Sequence, residues 1–115
     1  MMRRFYRLDL YKIDCVFADS NKHLEKEIQK DFPDYAFKRQ SQGRCISWYA
    51  NDKFFIGIYA DRPSTLAHEC VHAANEIFQH IGQNFDKEND EAFCYLVEHL
   101  FKQYCEMMKP EWTLK

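Results

Sequence analysis

The chain has 115 residues, a length that fits one domain, and 46% of them are hydrophobic, which is enough for a packed core. Its 16 basic and 18 acidic residues give a formal charge of −2, so the composition gives no reason to expect a nucleic-acid partner. No apolar run is long enough to span a membrane, and charged residues interrupt the start where a secretory signal would need an apolar stretch. Five cysteines without a CxxC pair indicate free thiols, and we therefore expect a cytoplasmic protein with no membrane partner.

The first third of the chain predicts β-structure followed by a helix. The segment FYRLDLYKIDCVFA is rich in aromatic and β-branched residues, which predicts one strand or two short ones. An amphipathic helix is expected in SNKHLEKEIQKDF, where Ser20 or Asn21 can cap the start and Pro33 ends the segment. Its apolar stripe has a spacing of four residues and consists of Leu24, Ile28 and Phe32.

A β-hairpin is predicted next. The runs CISWYA and KFFIGIYA have strand-like composition and are separated by Asn51 and Asp52, a pair that favours a tight turn. Gly57 lies inside the second run, and a glycine at such a position indicates a bulge or a close approach of another element.

Two helices complete the chain. The clearest is in DRPSTLAHECVHAANEIFQHIG, with Pro63 near its start, Ser64 or Thr65 as a cap, and Gly82 after its end. A loop, QNFDK, connects it to a last helix from about residue 88 to 108, whose apolar stripe is Ala92, Phe93, Leu96, Val97, Leu100, Phe101 and Tyr104. The order of elements predicts an α+β fold, in which a small, mostly antiparallel sheet packs on these two helices.

The segment HECVH carries the clearest chemical signal. His68 and His72 are four residues apart, so on a helix both imidazoles can point at one metal ion. Glu69 flanks that ion without binding it, and its carboxylate is free to take a proton from an activated water. Zinc suits two imidazoles and a carboxylate with water in the fourth position. The structural alternative is two histidines on an ordinary amphipathic helix.

A third protein ligand decides between these interpretations. The metzincin pattern HExxHxxGxxH is excluded, because Asn75 and Phe78 stand where it has glycine and histidine. Glu91, separated from His72 by eighteen residues, is the better candidate, because a helix, a short loop and a returning helix can bring it back beside the first helix. Cys94, one turn beyond, is expected to pack in the core, as is Cys70.

With this spacing, HECVH followed by DEAF resembles the HExxH-x18-E pattern of gluzincins over Thr65 to His99, about a third of the chain. Asp90 stands where the aminopeptidase branch usually has asparagine. The short length is similar to minimal gluzincins and to small HExxH proteins of bacteriophage genomes. The resemblance implies a zincin-like fold, Zn²⁺ held by His68, His72 and Glu91, and Glu69 as general base and later proton donor.

Further roles follow from the same resemblance. Gluzincins steady the oxyanion with a tyrosine or histidine, and Tyr95, His99 or Tyr59 can take that place. Zincins commonly extend the substrate along an edge strand before the active-site helix, and KFFIGIYA is the natural candidate, with Phe55, Gly57 and Tyr59 as substrate-binding residues.

The implied activity is zinc-dependent hydrolysis of peptide bonds in a peptide or protein substrate. The alternative is a zinc-stabilised binding or inhibitor protein without protease activity, such as a phage factor that blocks a host protein. The sequence indicates neither the cleavage specificity nor the oligomeric state.

Overall fold

The computed structural model describes residues 3–8, 11–83, 86–88 and 90–113. Its elements in chain order are β1 (Arg3–Leu8), β2 (Ile13–Ala18), α1 (Asn21–Gln29), β3 (Gly43–Ala50), β4 (Lys53–Ala60), α2 (Pro63–His80), α3 (Asp90–Met108) and a short 3-10 helix (Glu111–Thr113). The predicted α+β class is confirmed.

Four strands form one sheet in the order β1-β2-β4-β3. The pairs β1–β2 and β3–β4 are antiparallel, whereas β2 and β4, which are separated in the chain by α1 and β3, are parallel. The sheet is therefore mixed, with two antiparallel pairings out of three. β1 and β3 are its edges, and β4 is an interior strand.

Local turn chemistry explains both hairpins. The segment FYRLDLYKIDCVFA, predicted as one strand or two, forms the two strands β1 and β2. A turn that includes Lys12, whose φ is 56°, separates them. The predicted β3–β4 hairpin is confirmed, with φ of 53° at Asn51 and 63° at Asp52. Two successive positive φ angles are typical of a type I′ turn, which matches the twist of antiparallel strands.

Helices cover both faces of the sheet. On one face, α2 and α3 pack against alternate residues of β2 and β4, which are Ile13, Cys15, Phe17, Phe54, Ile56, Ile58 and Ala60. On the other face, α1 packs over Val16, Ala18 and Trp48. Gly57 belongs to this second face, and a Cβ there would lie 2.5 Å from Cδ1 of Leu24. Gly57 therefore permits a close approach of α1, and the continuous β3–β4 register contains no bulge at it.

The helix ends differ from the predictions in detail. α1 ends at Gln29, so Phe32 lies beyond it and is 45% exposed rather than part of the buried stripe. α2 is capped by Arg62 without a side-chain hydrogen bond, not by Ser64 or Thr65, because Pro63 occupies its first turn. Gly82 follows α2 with a φ of 78°, as a helix-terminating glycine does.

α3 begins at Asp90, and Ala92 on it is exposed rather than buried. Cys70 is buried as predicted, whereas Cys94 is exposed, so the prediction that Cys94 packs in the core is wrong. Cys94 lies on the solvent-exposed side of α3 beside Tyr95, whereas Phe93 and Leu96 of the same turn pack against the core.

α2 and α3 form an antiparallel pair on the sheet. The rings of Phe78 and Phe93 meet edge to face with centroids 5.3 Å apart, which fixes the axial register of the two helices. Further along α3, the buried Tyr104 hydroxyl donates to the carbonyl oxygen of Ala18 at 2.7 Å. No helix in the described part of the chain combines the length and apolar character needed to cross a bilayer.

Candidate metal and catalytic site

The two histidines of HECVH form a pair on the outer side of α2. Their Nε2 atoms are 3.1 Å apart, and their rings meet edge to face with centroids 4.7 Å apart. Both side chains are exposed, because Leu66, Cys70, Ala73 and Ile77 occupy the side of α2 that faces the core. The pair is therefore open to a ligand from solvent.

The spacing of the two nitrogens fits one zinc ion. A Zn–N bond of about 2.0–2.1 Å and a tetrahedral angle imply a separation of about 3.4 Å between two donors. The Nε2 atoms of His68 and His72 are within about 0.3 Å of that value, without any change of helix geometry. The same distance also allows one neutral imidazole to donate a hydrogen bond to the other.

Glu69 lies beside this pair but is turned toward β3. Its side chain is buried, with 8% relative exposure, and the carboxylate lies against Gly43. Burial raises the pKa of Glu69, while His68, His72 and Arg44 act in the lowering direction. A carboxylate with a raised pKa holds a proton more firmly near neutral pH, which suits a group that accepts a proton and returns it.

The structure does not bring Glu91 to the two imidazoles. Phe93 of α3 is level with Phe78 of α2, and the two helices are antiparallel, so Glu91 is level with about residue 80 of α2. Residue 80 is eight residues from His72, which is about 12 Å along the helix axis. No group of three or more His, Cys, Asp or Glu side chains able to hold a metal ion is present among the described residues. Spacing along the chain predicted a return of α3, but the packing of the two helices sets the register.

The two predicted oxyanion residues of α3 occupy different positions. Tyr95 is 64% exposed and leaves the helix about 160° around from Phe93. His99 is partly buried and, by the same count from Phe93, is level with His72 along the helix pair. Neither residue forms a three-donor group with the histidine pair.

The predicted substrate strand is wrong. β4 pairs with β2 on one side and β3 on the other, so it has no open edge for a peptide. The side chains of Phe55 and Tyr59 pack on the α1 face of the sheet, and Gly57 faces the same way, opposite to α2. The sequence pattern of a hairpin does not indicate which of its two strands pairs with a further strand. Here β4 pairs with β2, and β3 remains at the edge.

A groove that the sequence did not predict separates β3 from α2. It has a volume of about 480 Å³ and is lined by residues 43–47 of β3 together with Glu69, His72 and Glu76 of α2. The Ser47 hydroxyl donates across it to Oε1 of Glu76 at 2.9 Å. The available signal was the alternation of small residues at Gly43, Cys45 and Ser47, which face α2.

The chain matches no family model, no curated protein and no solved structure.

Proposed function

We propose that this protein is a zinc-dependent peptide hydrolase with a zincin-like arrangement. The observation that carries the proposal is the 3.1 Å separation of the His68 and His72 Nε2 atoms next to the buried carboxylate of Glu69. A purely structural pair of exposed histidines does not need a buried acid beside it. Such an acid costs stability, because burial opposes its ionisation.

His68 and His72 are the residues that would hold the ion, through Nε2. When bound, zinc supplies a Lewis acid that polarises the scissile carbonyl and acidifies a water molecule. Glu69 accepts the proton of the attacking water and then returns it to the amine nitrogen as the C–N bond breaks. One water is consumed, and the products are a carboxylic acid and an amine, so the carboxyl of Glu69 ends in its starting state.

β3 takes the place predicted for β4 in substrate binding. It is the edge strand beside α2, and its outward N–H and C=O groups can pair with an extended peptide. A peptide added along β3 would pass over the groove that contains Glu69 and His72. This arrangement brings a scissile carbonyl to the histidine pair without a second subdomain.

The remaining ligand and the oxyanion group are proposed from the resemblance to gluzincins. Glu91 is the third ligand in that pattern, and His99 or Tyr95 is the oxyanion partner. At the observed register Glu91 lies about 12 Å along the helix pair from the level of His72, so the resemblance alone supports it as the third ligand.

The decisive experiment compares the Glu69→Gln variant with the wild-type chain on an unbiased peptide mixture. Gln keeps the shape of the side chain but cannot accept the proton, so cleavage should fall ~100- to 10,000-fold while zinc content is unchanged. Glu106→Gln, on the exposed side of α3, is the matched control and should keep both. Zinc retention with equal cleavage by Glu69→Gln and wild type would reject Glu69 as the base.

A binding protein without catalysis is the second candidate. The specific observation in its favour is that the described residues assemble no group of three metal donors. Under this alternative, which is a zinc-stabilised binding protein, the purified wild-type chain would hold zinc and melt at a higher temperature with it, but would cleave nothing in the mixture. A protein that holds one zinc and cleaves peptides would exclude it.

A further inference from the structure

The groove between β3 and α2 continues beyond the histidine pair toward the β3–β4 turn. A second pocket of about 180 Å³ is lined by Ser47, Tyr49, Phe54, Glu76, Gln79 and His80. It shares Ser47 and Glu76 with the larger pocket that contains Glu69 and His72. The two pockets therefore adjoin along the open edge of β3, on either side of the Ser47–Glu76 hydrogen bond, and together they are called the channel below.

Glu76 presents a carboxylate to this channel. It is half-buried on the side of α2 that faces β3, one helical turn after His72. Oε1 accepts the hydrogen bond from Ser47, which fixes the orientation of the carboxylate. Oε2 accepts no hydrogen bond from the residues that the structure describes, so it is available to a ligand.

Aromatic rings form the wall of the second pocket. His80 stacks on Phe54 with ring centroids 4.2 Å apart, and the Tyr49 hydroxyl lies 3.0 Å from Nδ1 of His80. These contacts hold two flat surfaces beside the carboxylate of Glu76. The methylene stem of a long side chain can pack on such rings while its charged end reaches the acid.

The charges along the channel are distributed unevenly. Arg44 lies at the Gly43 end, where its Nε donates to Asn21 and its guanidinium stacks over Phe37 at 3.9 Å. At the other end, Glu76 is the one carboxylate among the described residues that line the second pocket.

We infer that Glu76 selects a substrate with a lysine or arginine side chain next to the scissile bond, on the Tyr49 side. The inference rests on the proposed function for the cleavage itself. The occupant is an extended peptide paired with β3, whose basic side chain enters the second pocket and binds Oε2 of Glu76. Cβ atoms one turn apart on a helix are about 5–6 Å apart, so a residue adjacent to the bond held at His72 can reach Glu76.

The test uses three peptides that differ at one position, with lysine, norleucine or glutamate, and measures kcat/KM for each. Hydrogen bonds to a charged group predict a preference for lysine over norleucine of about 10- to 100-fold. Glu76→Gln should reduce that ratio to near one, and Glu76→Lys should reverse the order of the lysine and glutamate peptides. Glu106→Gln should keep the wild-type ratio. A wild-type ratio near one, or a ratio that Glu76→Lys leaves unchanged, would overturn the inference.

A binding measurement separates this inference from the proposed catalysis. Fluorescence anisotropy with the Glu69→Gln chain and labelled lysine and norleucine peptides reports occupancy of the channel without turnover. Suppose that the wild type cleaves nothing, that the Glu69→Gln chain prefers the lysine peptide, and that adding Glu76→Gln removes this preference. That result would reject the hydrolase and keep the basic-peptide channel. Cleavage without lysine preference would keep the hydrolase and reject the role of Glu76. A chain that shows neither cleavage nor selective binding of the lysine peptide would contradict both proposals.

Discussion

The Glu69 side chain lies beside Gly43, against the space that a side chain at this position would occupy. A Cβ at Gly43 would lie 3.2 Å from Oε2 and 3.3 Å from Cγ of Glu69, and 2.1 Å from the Thr65 methyl carbon. The first residue of the edge strand therefore forms part of the wall against which the carboxylate rests. Only a residue without a side chain allows β3 to start so close to α2.

Gly43→Ala should therefore displace the strand from the helix. An alanine Cβ would lie 2.1 Å from the Thr65 methyl carbon, so the Thr65 side chain, the strand or the helix must shift, at a cost of about 1–3 kcal/mol in unfolding free energy. Urea denaturation measures this loss. Adding Thr65→Ala removes the closest atom and should restore part of the stability, since the two sites are coupled. A single Gly43→Ala variant as stable as wild type would contradict the observed approach.

Zinc binding should depend on both histidines. His68→Ala or His72→Ala removes one of the two aligned nitrogens, so each variant should lose the metal and the rise in melting temperature that it confers. Metal analysis and thermal melts with and without chelator check this. Equal zinc content in wild type and His72→Ala would reject the pair as the site.

The third ligand can be identified with two carboxylate variants. Glu91 completes the gluzincin pattern, whereas Glu98 is five residues after Phe93 and so lies close to the level of His72. If Glu91 is the third ligand, Glu91→Gln should weaken zinc affinity about 10-fold or more and Glu98→Gln should not. A larger loss of zinc affinity in Glu98→Gln than in Glu91→Gln would instead favour Glu98, which lies near His72 in the observed packing of α2 and α3.

The histidine pair and Glu91 show which parts of the candidate site can be predicted from the sequence. His68 and His72 are placed by the helix itself, so their spacing of four predicts their contact. Glu91 depends on the connection after His80 and on how Phe78 and Phe93 interlock, neither of which is encoded in local periodicity. Patterns therefore predict what one element presents, but not the register between two elements.

The same limit applies to the sheet. Asn51 and Asp52 predict the hairpin, because a two-residue turn with positive φ is a local property. The parallel pairing of β4 with β2 joins residues about forty positions apart, such as Val16 and Gly57. The sequence therefore predicted the two strands of the hairpin but assigned the open edge to the wrong one.

Tyr104 should be a major anchor of α3 on the sheet. Its hydroxyl donates to the Ala18 carbonyl at 2.7 Å and lies 3.3 Å from the Ala60 amide, at the carboxyl ends of the two parallel strands. Tyr104→Phe leaves these buried backbone groups without that partner and should cost about 1–3 kcal/mol in urea denaturation. Tyr95→Phe, at a 64% exposed position of the same helix, should change stability by less than about 0.5 kcal/mol. Equal losses in the two variants would show that the buried hydroxyl has no special role.

The charge of Glu69 should destabilise the metal-free protein at neutral pH. Burial raises the folded-state pKa of Glu69 above its ordinary value of 4.5, so folding is penalised once the carboxyl ionises. Below pH 4.5 the group is protonated in both states and the penalty is absent. It develops as pH rises from 4.5 through the folded pKa and is complete above that pKa.

Glu69→Gln removes the penalty. In the presence of a chelator, its melting temperature should exceed that of the wild type by an amount that is small near pH 4 and grows toward pH 8. Glu106→Gln, at an exposed position of α3, is the control for the loss of one carboxylate. A Glu69→Gln variant that melts below wild type at pH 8 would mean that the carboxylate is stabilised in the fold, against the burial that surrounds it.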